Sequence, residues 1–207
     1  PRIRTQGIGP VTRVLGLAGS PRRGGNTETL LDTFLSGAAA AGATVEKLAV
    51  CDLRVEAAVD LGSCWQEGRC AAEDDYRELC EKMIAADVIV VSAPLYFANV
   101  PAQLKLIVDR SQCQWVRKVI DKARLQPSDD GHERRRGVFL CVGGQTEQSF
   151  ACAAETIGSM FRLYEADLWA QLFHGDIDAR GEVEELPDTL GRAFELGRRA
   201  VTEPWES

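Results

Sequence analysis

Histidine is nearly missing from this chain: 207 residues include only two, His132 and His174. A histidine general base therefore has two candidates, and a catalytic triad has little to draw on. His132 lies in a charged stretch that reads as solvated, and His174 follows the last predicted strand as a loop or interface residue. Positive charge is also in deficit, with 24 Lys and Arg against 31 Asp and Glu and a formal net charge of −7. That balance argues against general nucleic-acid binding, which needs a basic surface to release counterions. No apolar run approaches the length that spans a bilayer. The opening residues, Pro1-Arg2-Ile3-Arg4-Thr5-Gln6, lack the apolar segment of a secretory signal. Seven cysteines are present without a paired secretory framework. Cys51, Cys80, Cys113, Cys141 and Cys152 scatter through predicted strands and helices, as free thiols of a reducing compartment do. A cytoplasmic protein with no nucleic-acid or membrane partner is expected, and no metal-ligating set is read. Linkers, repeats and low-complexity tracts are missing too, so residues 1–207 read as one domain, with 1–11 as a flexible N-terminal arm.

What is present is a polar, glycine-rich turn, Gly19-Ser20-Pro21-Arg22-Arg23-Gly24-Gly25-Asn26-Thr27. It follows the short apolar run Val14–Ala18 and precedes Leu30, Leu31, Phe34, Leu35 and Ala38, spaced as one helical face. Such a turn between strand and helix aims backbone N–H groups and a positive helix end at one spot, a candidate phosphate site. Two common nucleotide motifs do not fit. Gly25-Asn26 stands where a triphosphate loop needs a lysine and a hydroxyl residue, and Gly16, Gly19 and Gly24 do not form G-x-G-x-x-G. Ser20, Asn26 and Thr27 instead offer mainly neutral donors, suited to a terminal monophosphate, with Arg22 and Arg23 able to add charge. The competing reading is an ordinary turn in which Asn26 or Thr27 caps the helix.

A second segment points to the same edge. Asp87–Ala93 is an almost continuous apolar strand, as in a parallel sheet covered on both faces. It ends in Pro94-Leu95-Tyr96-Phe97-Ala98-Asn99-Val100-Pro101, after which a helix resumes. Open α/β sheets bind ligands at the carboxyl ends of their strands, so Tyr96 and Phe97 read as the wall of a planar-ligand pocket. The plainer alternative is that they cap the core.

Together, Gly19-Ser20-Pro21-Arg22 with Asn26-Thr27, and Pro94-Leu95-Tyr96-Phe97 with Pro101–Lys105 and Asp109-Arg110, resemble the NAD(P)H-dependent FMN reductase family. More narrowly, the chain is similar to the branch related to iron–sulfur flavoproteins. The resemblance implies a flavodoxin-like fold, bound FMN and hydride transfer from NAD(P)H to a small acceptor. It implies that Ser20, Arg22, Asn26 and Thr27 hold the FMN phosphate. Pro94, Leu95, Tyr96, Phe97 and Asn99 would border the isoalloxazine, and Gly143, Gly144, Gln145 and Thr146 would close the site. One departure stands out. Of the branch's cluster cysteines only Cys64 and Cys70 remain, ahead of Asp74-Asp75, while Ala58 and Leu61 fill the other positions. A cluster takes about four thiolates, so none is expected here, and the two cysteines read as inherited loop thiols.

Strands are predicted near 12–18, 44–50, 87–93, 137–142 and 167–173, alternating with helices over 26–41, 73–86, 101–116, 150–164 and 184–201. Short connections argue for a parallel sheet with right-handed crossovers. The expected fold is α/β, a flavodoxin-like three-layer sandwich whose five-stranded sheet has the order 2-1-3-4-5. Between Arg117 and Arg136 lies a charged stretch that reads as a solvated excursion, or alternatively as a grip for the 2′-phosphate of NADPH. The functional expectation is a flavoprotein oxidoreductase, a homodimer passing hydride from NAD(P)H through FMN to a quinone, flavin, azo compound or metal ion. A non-enzymatic FMN electron carrier is the alternative.

Overall fold

The strands sort themselves by which faces their side chains must bury. In the computed structural model, which describes residues 11–59, 64–65, 70, 72–120 and 135–205, five strands form one parallel sheet. They are β1 (Arg13–Ala18), β2 (Thr44–Ala49), β3 (Val88–Pro94), β4 (Arg135–Val142) and β5 (Ala166–His174), in the order β2-β1-β3-β4-β5. The flavodoxin-like order 2-1-3-4-5 is thus the observed one. The central β3 and β4 are buried almost throughout, as strands covered on both faces must be. At one edge β2 reads Thr-Val-Glu-Lys-Leu-Ala and leaves its first four residues exposed. At the other, β5 alternates and is only half covered.

Successive residues along a strand point to opposite faces, and two cores result. Leu15, Leu17, Ile89, Val91, Phe139 and Cys141 face α2 (Tyr76–Ala85), α3 (Ala102–Arg110) and α4 (Ala151–Leu163). Val14, Val88, Val90, Val138 and Leu140 face α1 (Asn26–Ala40) and α5 (Pro187–Thr202). Helices α1 and α5 meet with very little between them. A Cβ on Gly37 would lie 2.0 Å from the Phe194 carbonyl oxygen, and one on Gly197 would lie 1.9 Å from that of Phe34. The helix expected over 101–116 is interrupted at Ser111 and resumes as Gln112–Trp115 and a π turn, Val116–Ile120.

Two arginines at the end of the charged stretch depart from its reading as solvated. Arg135 and Arg136 are almost fully buried at the start of β4. Arg135 donates to the carbonyls of Ile84, Ala86 and Tyr164, at the ends of α2 and α4. Arg136 donates to Ala200 and Glu203 at the end of α5 and lies over the rings of Trp169 and Trp205. Helix C-terminal carbonyls lack backbone partners and attract cations, so these side chains are spent on the fold and unavailable to a nucleotide phosphate. The rest of that stretch from 121 to 134, His132 included, and the N-terminal arm to residue 10 lie outside the described residues. Among the described residues no helix is long and apolar enough to cross a membrane.

Candidate functional site

The carboxyl end of β1 turns sharply because Gly19 sits against its neighbour strand. Its N–H donates to the Ser92 carbonyl at 2.7 Å, and a Cβ there would meet Leu104 at 2.6 Å. The Ser92 hydroxyl in turn donates to the Thr27 carbonyl at 2.6 Å, fastening the start of α1 to β3. Within this turn the Ser20 hydroxyl accepts the Arg22 N–H. The N-cap of α1 is Gly25, with no side-chain capping bond, so neither Asn26 nor Thr27 caps the helix. The amides of Gly25, Asn26 and Thr27 precede the first intrahelical bonds, made by Glu28 and Thr29 to the Gly25 carbonyl. They are left for a ligand or water.

Asn26 has a different task from the one its sequence suggests. Its side-chain N–H donates to Ala179, while its oxygen accepts the N–H groups of Gly181 and Val183. One amide N–H and the amide oxygen are thereby committed to the loop after β5. Arg180 completes this tie by donating to the Gly24 and Arg23 carbonyls. Gly24 has φ +62°, and a Cβ on it would lie 2.7 Å from the Arg180 guanidinium. Glu28 is buried beneath the turn, accepting the Gly24 N–H and pairing with Lys47 and Arg23. Burial pushes its carboxyl up, but Gly24, Lys47 and Arg23 outweigh this and hold it below the usual carboxylate range. The acid is therefore neutralised internally, and Arg22 remains exposed beside the unspent amides.

Around the turn lies a cavity of about 420 Å³ lined by Ser20, Arg22, Asn26 and Thr27 on one side and by Pro94, Leu95 and Tyr96 on another. Gly143 and Gly144 close its third side, and Ile177, Asp178 and Arg180 complete the rim. Its size falls within the range of small-molecule sites. A more open groove of about 720 Å³ shares Leu95, Tyr96 and Gly144 with it and adds Phe97, Gln145 and Gln148. Of the thirteen residues implied by the family resemblance, Asn99 and Thr146 line neither space. Asn99 is a turn residue instead: it exchanges backbone bonds with Tyr96, and its side chain accepts the Val100 N–H. At the tip of this turn Phe97 (φ 48°) and Ala98 (φ 61°) are both left-handed, and Phe97 is fully exposed.

Sequence reasoning missed the β5 loop. Ile177 donates to Gly143 and Asp176 to Gln145, while Gly175 packs so closely that a Cβ would meet the Gln145 carbonyl at 2.6 Å. The polar run His174–Gly181 at a strand's carboxyl end was the available signal. The donor set fits a phosphate-bearing planar cofactor. It combines free amides, the Ser20 hydroxyl and an unpaired arginine with an apolar wall, and its one buried acid is already paired.

Beyond the cavity, Arg110 and Asp74 form a buried bidentate pair. Asp74 also accepts the Glu56 and Tyr76 N–H groups, so it ties the segment before α2 to the end of α3. Deeper still, Cys80 receives a hydrogen bond from Gln114 at 3.0 Å and another from Tyr164. The Cys113 thiol and these donors favour its thiolate and lower it to about 7, while Cys113 is driven up. Cys64 and Cys70 are half-buried and not joined in a disulfide, and much of the segment joining them lies outside the described residues. Among the described residues no group of three His, Cys, Asp or Glu could hold a metal ion.

The sheet order and the cavity at the strand ends define an α/β protein of the flavodoxin type. A family model for NADPH-dependent FMN reductase matches residues 12–164, and the chain belongs to that family. An iron–sulfur flavoprotein of Methanosarcina thermophila is 38% identical over 132 residues, 64% of this chain and 63% of that protein. One from Methanocaldococcus jannaschii is 38% identical over 100 residues, 48% of this chain and 52% of its own. The chain thus matches roughly half to two thirds of these relatives' length. Among solved structures, an NAD(P)H:quinone oxidoreductase from Methanothermobacter marburgensis superposes with a TM-score of 0.69 at 21% identity, covering 96% of this chain and all of that one. An azoreductase from Bacillus anthracis gives 0.65 at 18%, covering 91% and 100%. At these identities the likeness is one of fold.

Proposed function

We propose that this protein is an FMN-dependent NAD(P)H oxidoreductase that delivers electrons to a small acceptor. One observation carries the reading: unspent amides and hydroxyls at the start of α1 face a proline–aromatic wall across a single cavity. When bound there, FMN supplies two-electron exchange with NAD(P)H and onward transfer to the acceptor, chemistry no side chain here provides. Gly25, Asn26 and Thr27 donate backbone N–H groups to the phosphate, and Ser20 and Thr27 add hydroxyls. Arg22 adds charge, and the helix end contributes its positive field. Pro94, Leu95 and Tyr96 would hold one side of the ring, and the end of β4 at Gly143 and Gly144 would border another.

The open groove beside Tyr96, Phe97 and Gln145 would give NAD(P)H and then the acceptor access to the site in turn. Structures of like fold named as quinone oxidoreductase and azoreductase support a quinone or an azo compound as acceptor; a free flavin or a metal ion belongs to the same proposal without that support. The reading includes a homodimer in which Phe97 meets a second copy, because a fully exposed aromatic ring held at positive φ gains nothing within one chain. The purified protein should be yellow, release FMN on heating and bleach on addition of NADH or NADPH. A colourless preparation that takes up no FMN at micromolar concentration would sink the proposal.

A further inference from the structure

The loop that follows β4 contains one polar group with no work inside the protein. The side-chain nitrogen of Gln148 is buried and has no hydrogen-bond partner. It is not loosely placed. The carboxamide occupies the space a side chain on Gly143 would need: an ideal Cβ there would lie 1.8 Å from Nε2, 2.4 Å from Cδ and 2.6 Å from Oε1. Gly143 itself is fixed, donating to the His174 carbonyl at 3.0 Å and accepting from the Ile177 N–H at 3.0 Å. A rigid glycine thus seats the amide against the end of β4.

The seat lies where the two spaces join. Gly143 lines the inner cavity, Gln148 lines the outer groove, and Leu95, Tyr96 and Gly144 border both. A buried donor without a partner costs about 1–3 kcal/mol, and a ligand seated where the two spaces join would supply the missing acceptor. The phosphate donors lie on the α1 side of the cavity and the amide on the β4 side, so the two mark opposite ends of one ligand. A carboxamide also carries a donor and an acceptor side by side. That pair complements a ring edge on which carbonyl and N–H groups alternate, as the pyrimidine edge of a flavin does and its dimethylbenzene edge does not.

We propose that Gln148 reads the pyrimidine edge of the bound ring, its side-chain N–H donating to a ring carbonyl and so fixing which way round the flavin lies. This assignment rests on the FMN reading above. The test compares the unaltered protein with Gln148→Met, which keeps length and flexibility without a donor, and with Arg22→Gln at the phosphate end. FMN released on dilution is followed by its fluorescence, and the position of the visible flavin band is recorded. Gln148→Met should weaken FMN binding about tenfold and displace the visible band, while Arg22→Gln weakens binding without moving the band. Thermal unfolding of the FMN-free protein should be no less stable in Gln148→Met, because the lost group had no partner there. Unchanged affinity and spectrum in Gln148→Met would overturn this assignment alone. Failure of the unaltered protein to bind FMN would overturn it together with the reading on which it rests.

Discussion

At the scale of single residues, the sequence conceals which charges are spent. Asp74 and Arg110 stand 36 positions apart, yet their side chains are nearly inaccessible and joined by two hydrogen bonds. Burial raises the Asp74 carboxyl, but Arg110 and the Glu56 and Tyr76 amides more than reverse this and hold it below its usual range. A depressed carboxyl stabilises the fold fully above its unfolded pKa of about 4, and the contribution disappears as pH falls through the folded value. Replacing Asp74 by Asn leaves Arg110 buried without its counter-charge, which should cost about 3–5 kcal/mol near neutrality. Melting curves of the two proteins should be far apart at pH 7 and converge below pH 4. A constant separation across that range would contradict this account.

At the scale of elements, the strands were legible from their apolar runs, and their order from the ligand signals after the first, third and fourth strands, which place the switch point between strands one and three. The phosphate turn was legible from its glycines and hydroxyls. What stayed hidden were partnerships formed over long separations. Asn26 looked like a ligand donor because its partners lie more than 150 residues away. Arg135 and Arg136 looked solvated because a run of charges usually is; their carbonyl partners belong to helices that meet β4 only in the fold. The helix pair α1–α5 is a further case, since Gly37 and Gly197 look unremarkable within amphipathic stretches. Each lets a backbone carbonyl of the other helix approach within reach of its missing Cβ. Gly197→Ala and Gly37→Ala should each destabilise the protein by about 1–3 kcal/mol, measured by urea unfolding, although alanine favours an isolated helix. A stabilised variant would show that the helices separate freely.

At the scale of the whole molecule, the unresolved expense is Phe97. A left-handed backbone at a bulky residue costs of order 1 kcal/mol, and glycine would occupy the same turn without strain. Phe97→Gly should therefore raise the melting temperature of the dissociated chain while weakening association of two copies, read by sedimentation at several concentrations. Sedimentation identical to that of the unaltered protein would remove Phe97 from any subunit contact.

The stitch that Asn26 and Arg180 make between the first turn and the loop beyond the last strand has a consequence for assembly of the site. Residues more than 150 positions apart are thereby ordered together, so the rim of the cavity is complete only once the loop beyond β5 is in place. A ligand clasped by the first turn would therefore steady the loop beyond β5 as well.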